Sequence, residues 1–151
     1  MIPRALLVIL RVHLGVILLL TVLGKLTREQ PFAVEMLGFL RHAMGNASAP
    51  YRAFVERVVI PHAHAFSVLV MAGELVAGLS LLFGIATRAG AAIAMLLFVN
   101  YMLAKGRMLW SPDSEDAAVL LSALVVALGA AGRSLGVDAL LHRRWPRVPA
   151  W

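Results

Sequence analysis

The sequence predicts an all-α integral membrane protein: a bundle of four spanning helices, with short amphipathic helices in the loop between spans one and two. Three observations predict it. Of 151 residues, 61% are hydrophobic, against about 45–50% in a soluble domain. Mean hydropathy is +0.85. The apolar residues fall into four runs, each near the roughly 20 residues that cross a bilayer. A chain of this length makes one compact bundle, so residues 1–151 read as a single membrane domain.

The four runs set spans over about 5–23, 64–85, 89–104 and 116–132. The first is too long for a cleaved leader, and Arg11 and His13 interrupt it. Spans two and three join through the tight corner Gly84-Ile85-Ala86-Thr87-Arg88. Spans three and four join through a loop holding Gly106, Trp110 and the turn Ser111-Pro112-Asp113.

The long stretch between spans one and two exceeds what a compact domain leaves unstructured. Two amphipathic helices fit it. One covers 31–44: Pro31 suits a helix start, Phe32, Met36, Leu37, Phe39 and Leu40 share a face, and Gly45-Asn46 ends it. The other covers 50–60, with Tyr51, Phe54, Val55, Val58 and Val59 set against Arg52, Glu56 and Arg57. Helices this short lie over one mouth of the bundle in the interface. They either cover helix ends or close a ligand cavity, and the sequence leaves both open.

Small residues recur every four positions, at Ala86, Gly90 and Ala94 and again at Ala123, Ala127 and Ala131. Such stripes let membrane helices approach closely, within the bundle or against another subunit. The formal charge is +6. The basic residues flank apolar spans, so anionic lipid headgroups are the expected partner and nucleic acid is not. With both termini on one side, the Lys and Arg split evenly, and the Arg143-Arg144 pair beside Trp145 favours cytoplasmic termini in a bacterial inner membrane. There is no cysteine. This excludes a thiolate metal site, an iron–sulfur cluster, a covalent c-type haem and dithiol exchange. A redox role then requires a bound molecule, with no intrinsic cofactor.

Four polar residues fall within the spans: Arg11, His13, Glu74 and Asn100. A charge at mid-bilayer costs about 2.5–3.5 kcal/mol, so it is kept with a partner, a water path or a task. By helical rise, Arg11, Glu74 and Asn100 lie roughly 10, 15 and 17 Å from the same side. Gly15 lies one turn from Arg11, and Gly78 one turn from Glu74, each on the same face, which brings the two spans close. The expectation is a buried Arg11–Glu74 pair supported by Asn100. It serves either as a register-fixing salt bridge or as a polar pocket for a quinone head group or a proton. His13 points to another face of its helix and is the weakest member of that ligand set. His62 and His64 diverge by about 200° on a helix and make no ready two-ligand face, so no metal site is expected.

Gly73-Glu74-Leu75-Val76-Ala77-Gly78-Leu79-Ser80-Leu81-Leu82-Phe83-Gly84-Ile85-Ala86-Thr87-Arg88 resembles the central segment of the DoxX family: a Glu in span two, glycine-punctuated leucines, then G-x-x-T-R. Arg11, Gly15 and Gly24-Lys25 in span one agree with it. The end of span four, Gly129 to Asp138, is similar to the family's closing G-x-G-R-x-x-S-x-D, from which Ala131 and Gly136 depart. The resemblance implies a four-helix integral membrane protein. It also implies a link to quinone-coupled redox chemistry, since the family includes the membrane subunit of thiosulfate:quinone oxidoreductase. The expected function is a quinone-binding subunit of a membrane redox complex with other protein subunits. The alternatives are a non-catalytic accessory subunit and a proton or small-solute pathway.

Overall fold

The structure, a computed structural model, describes residues 3–129, 131–133 and 135–144. Those residues are helical and contain no strand. Helix α1 spans Arg4–Leu26, α2 Phe32–Ala43 and α3 Ala49–Phe54. A π turn, Val55–Val59, continues α3. Then follow α4, Ala63–Phe83, α5, Thr87–Lys105, and α6, Glu115–Leu128. A 3₁₀ turn at Ala131–Arg133 leads to α7, Val137–Arg144.

Three of these helices, α1, α4 and α5, are long and apolar enough to cross a membrane, at 23, 21 and 19 residues. The run expected to make a fourth span over 116–132 gives a helix of only 14 residues. At 1.5 Å per residue it measures roughly 21 Å, short of a hydrocarbon layer of about 30 Å. Its start is well specified: Ser114 accepts from the Ala117 amide, and Glu115 and Asp116 lie in the first turn, where the helix dipole favours acids. Each of α1, α4, α5 and α6 packs on two of the others, in the cyclic order α1–α4–α5–α6.

Their shared core holds Leu14, Leu18, Ala77, Leu81, Ala94 and Val126. Both small-residue stripes are largely used up inside it. Gly90, Ala94, Ala123 and Ala131 are buried, and Ala127 packs against the same cluster. Between α1 and α4 the expected close approach is present. A Cβ on Gly15 would stand 2.6 Å from the Leu82 amide nitrogen and 2.9 Å from the Gly78 carbonyl oxygen. No side chain fits there, so the two backbones touch.

Helix α2, and α3 with its π turn, occupy the loop between α1 and α4. Met36, Leu40, Val55, Val59, Ala63 and Ala104 form a second, smaller core beneath α2 and α3. The lid therefore rests on the ends of α4 and α5. Helix α7 was not among the expected elements, although Asp138 in its first turn and His142, Arg143 and Arg144 in its last complement a helix dipole.

Candidate functional site

Helices α1 and α4 run antiparallel: Arg11 meets Gly84, Gly15 meets Gly78, and Lys25 meets Glu74. A helical side chain leans toward its own N-terminus. On α1 that lean carries the Arg11 guanidinium toward the α4–α5 corner, away from Glu74. The same lean carries Lys25 from the last turn of α1 back onto Glu74. The expected Arg11–Glu74 pair is therefore not formed. Its two members belong to separate clusters, anchored on α1 positions that are roughly 21 Å apart along the axis.

The first cluster is centred on Glu74, which is 1% exposed. Lys25 Nζ donates to Oε1 at 2.6 Å and to Oε2 at 2.5 Å, and Tyr101 Oη donates to Oε1 at 2.6 Å. Tyr101 is held edge-on against Phe98. The ammonium also lies 4.5 Å from the centre of the Phe32 ring, a cation–π contact. The carboxylate thus has a charge partner and a neutral donor, which is what a buried ion pair needs to be tolerated. Lys25 was not expected here. Its position at the end of an apolar run reads as an interfacial anchor, and the family-like Gly24-Lys25 ending is the signal that marks it.

Beside this cluster lies a cavity of about 780 Å³, roofed by α2 and α3 and walled by α4 and α5. Phe39, Phe54, Phe66, Val70 and Leu97 make most of it apolar. The polar groups on its wall are few. Lys25 and Tyr101 face it from the Glu74 cluster, and Lys105, paired with Asp116 at 2.6 Å, lies on the wall as well. Asn100 also lines it: its side-chain amide donates to the Leu96 carbonyl at 2.8 Å, and its main-chain carbonyl accepts from Tyr51 Oη at 3.2 Å. Burial raises the Tyr51 phenol above its ordinary value, so it stays a donor. Asn100 bonds neither Glu74 nor Arg11. An ammonium has three donors. Two go to Glu74, which leaves one for an acceptor inside the cavity.

The second cluster closes the α4–α5 corner. Arg11, 2% exposed, donates from Nη2 to the Leu135 carbonyl at 2.8 Å. Asp138 is fully buried and accepts from the Ala86 and Thr87 amides at 2.6 and 2.8 Å, while its own amide donates to the Gly84 carbonyl at 2.8 Å. Gly84 takes φ +67°, which its missing side chain permits. The carboxylate caps the first turn of α5. In this way the G-x-x-T corner, Arg11 and the closing Asp138 meet at one end of the molecule. The two departures in the closing motif fall in the same region: Ala131 is buried, and Gly136 lies against Arg11. Ala130 and Ser134 of that motif lie outside the described residues.

The histidines do not join either cluster. His13 is exposed on α1; His62 bonds the Val58 carbonyl at 2.9 Å, and His64 is exposed. Among the described residues no three of His, Cys, Asp and Glu come together as a metal site would require.

No curated protein and no solved structure matches this chain. The family model DoxX matches residues 6–105, from α1 to the end of α5, so the chain belongs to the DoxX family.

Proposed function

We propose that the chain binds a quinone or quinol in the cavity beneath α2 and α3, as a membrane subunit of a quinone-linked redox complex. The observation that carries this reading is the pairing of an apolar cavity with a charge-neutral polar wall. The volume, about 780 Å³, lies within the roughly 300–1,000 Å³ of small-molecule sites. Every cation on the wall already has its acid: Lys25 has Glu74, Arg28 has Glu35, and Lys105 has Asp116. An anionic ligand would have to break one of those pairs. A neutral ring with carbonyl oxygens needs only the spare donors of Lys25 and Asn100. Family membership supports the same direction.

In this reading α6, with its flanking residues, completes a four-span bundle whose termini face the cytoplasm of a bacterial cell. The sequence provides no thiolate for a cluster or c-type haem, so electrons come from a partner subunit. The buried stripes leave little small-residue surface for a purely accessory role. The test is to measure quinone retained by the purified protein and re-bound by it after delipidation. Asn100→Leu removes one polar group from a half-buried position and should weaken binding about three- to tenfold. Glu74→Gln should abolish it with helicity unchanged. No bound quinone, or unaltered binding in both variants, would refute the reading.

A further inference from the structure

A second hollow, a shallow groove of about 470 Å³, runs along the outer face of α1 past Ile17, Leu20, Thr21 and Gly24. Leu20 and Thr21 are exposed, on the side of a membrane-crossing helix that meets lipid. The groove shares Lys25, Arg28 and Phe32 with the inner cavity. Those three side chains thus line both hollows, where the chain turns from α1 into α2. One of the dividing links is the Arg28–Glu35 pair, with Arg28 59% and Glu35 27% exposed. Exposed pairs of this kind hold weakly. A Cβ on Gly24 would meet nothing within 4 Å, so the groove is open at that point.

We infer that the groove on α1 holds the apolar tail of the same ligand whose ring occupies the cavity, the two joined past the wall that Lys25, Arg28 and Phe32 share, where the weak Arg28–Glu35 pair gives way. This rests on the quinone reading above and deepens it: the ligand is a long-tailed membrane quinone, not a water-soluble one. The geometry accounts for both ends of such a molecule. The ring reaches the spare donors of the Lys25 ammonium and the Asn100 side-chain amide on the cavity wall. The tail leaves toward the hydrocarbon layer along a face that is already in contact with it. Because the tail moves from lipid into a groove rather than out of water, only packing contributes, and the effect is on the order of fivefold in affinity.

The experiment compares equilibrium binding of a dimethoxy-methyl-benzoquinone without a tail and the same ring carrying a decyl tail. Both are measured on the full-length protein in detergent. The wild type should prefer the tailed quinone, and Gly24→Phe, which fills the open point of the groove, should remove that preference while leaving the tail-less affinity unchanged. Leu20→Trp, an exposed substitution one turn away, provides a second filling variant. If the wild type binds both quinones equally, or the preference survives both variants, the groove holds only bulk lipid and the inference falls with the cavity reading intact. If neither quinone binds the wild type, the cavity reading itself is wrong and this inference goes with it.

Discussion

Lys25 grips both carboxylate oxygens of Glu74, at 2.6 and 2.5 Å, from the far end of the helix that also carries Arg11. With side-chain exposures of 11% and 1%, neither partner has water to fall back on. Removing one member of such a pair strands the other, at a cost of about 3–5 kcal/mol. Lys25→Met and Glu74→Met should each lower thermal stability by that order, and the double variant should recover most of it. The same cycle run on Arg11 and Glu74 should be additive, because they share no partner. Coupling of more than about 0.5 kcal/mol between Arg11 and Glu74, with none between Lys25 and Glu74, would reverse the assignment.

The α1–α4 contact depends on Gly15 having no side chain. A methyl there would lie 2.6 Å from one backbone atom of α4 and 2.9 Å from another, and backbone cannot yield as a side chain tip does. Gly15→Ala should therefore cost about 1–3 kcal/mol by overpacking. Gly38 is the control: a Cβ there meets nothing within 4 Å, on an exposed position of α2. Gly38→Ala should be neutral or stabilise by about 0.5–1 kcal/mol, since alanine is the better helix residue. Melting temperatures of the two variants in one detergent decide the matter; equal losses would mean that the helices do not touch at Gly15.

Much of this was legible from the chain alone, and each failure has its own physical cause. Long apolar runs marked α1, α4 and α5 because a bilayer forces that pattern, and the family resemblance seen in Gly73–Arg88 agrees with the family match. Glu74 bonds Tyr101, the chain neighbour of Asn100. The Arg11 assignment failed because depth was reckoned at the backbone. A guanidinium reaches several ångströms toward its own helix N-terminus, and on an antiparallel pair that direction leads away from Glu74. The same lean, read from the other end of α1, brings Lys25 onto Glu74, a pairing that the sequence reading did not include. Asp138 could not be joined to Ala86 and Thr87 from spacing, because more than fifty positions separate them and a turn brings them together. The π turn at Val55–Val59 leaves no mark in the hydrophobic pattern, since Val55 and Val59 would share a buried face in an α-helix as well.

Asp138 makes a sharper prediction about the corner. Its two oxygens take the amides of Ala86 and Thr87, which α5 leaves unpaired at its start. Hydrogen bonds to a charged group contribute about 1.5–3 kcal/mol each. Asp138→Ala should therefore destabilise the protein by at least about 2 kcal/mol and should raise amide exchange at the first turn of α5. Asp138→Asn keeps one acceptor and should fall between the two. Exchange at Leu40 and Met36, in the separate core under α2, should not change. Uniform loss of protection across the chain would show that the corner is not a local clasp.

The lid offers a test that reads a single hydroxyl. Tyr51 donates to the Asn100 carbonyl at 3.2 Å, linking α3 to α5 across the cavity roof. Tyr51→Phe removes that link and should cost about 0.5–1.5 kcal/mol. The loss should appear as faster exchange in Ala49–Val59 and not in α1 or α4. Burial also raises this phenol above its ordinary value of 10.0. For a group whose folded value is raised, the stabilisation is fully present below the unfolded value and is lost as pH climbs through the folded one. The stability gap between wild type and Tyr51→Phe should accordingly be constant up to about pH 10 and close above it. Subtracting the two ultraviolet titrations isolates this phenol from Tyr101. A midpoint at or below the ordinary tyrosine value would mean that the hydroxyl faces water and that the roof is open at α3.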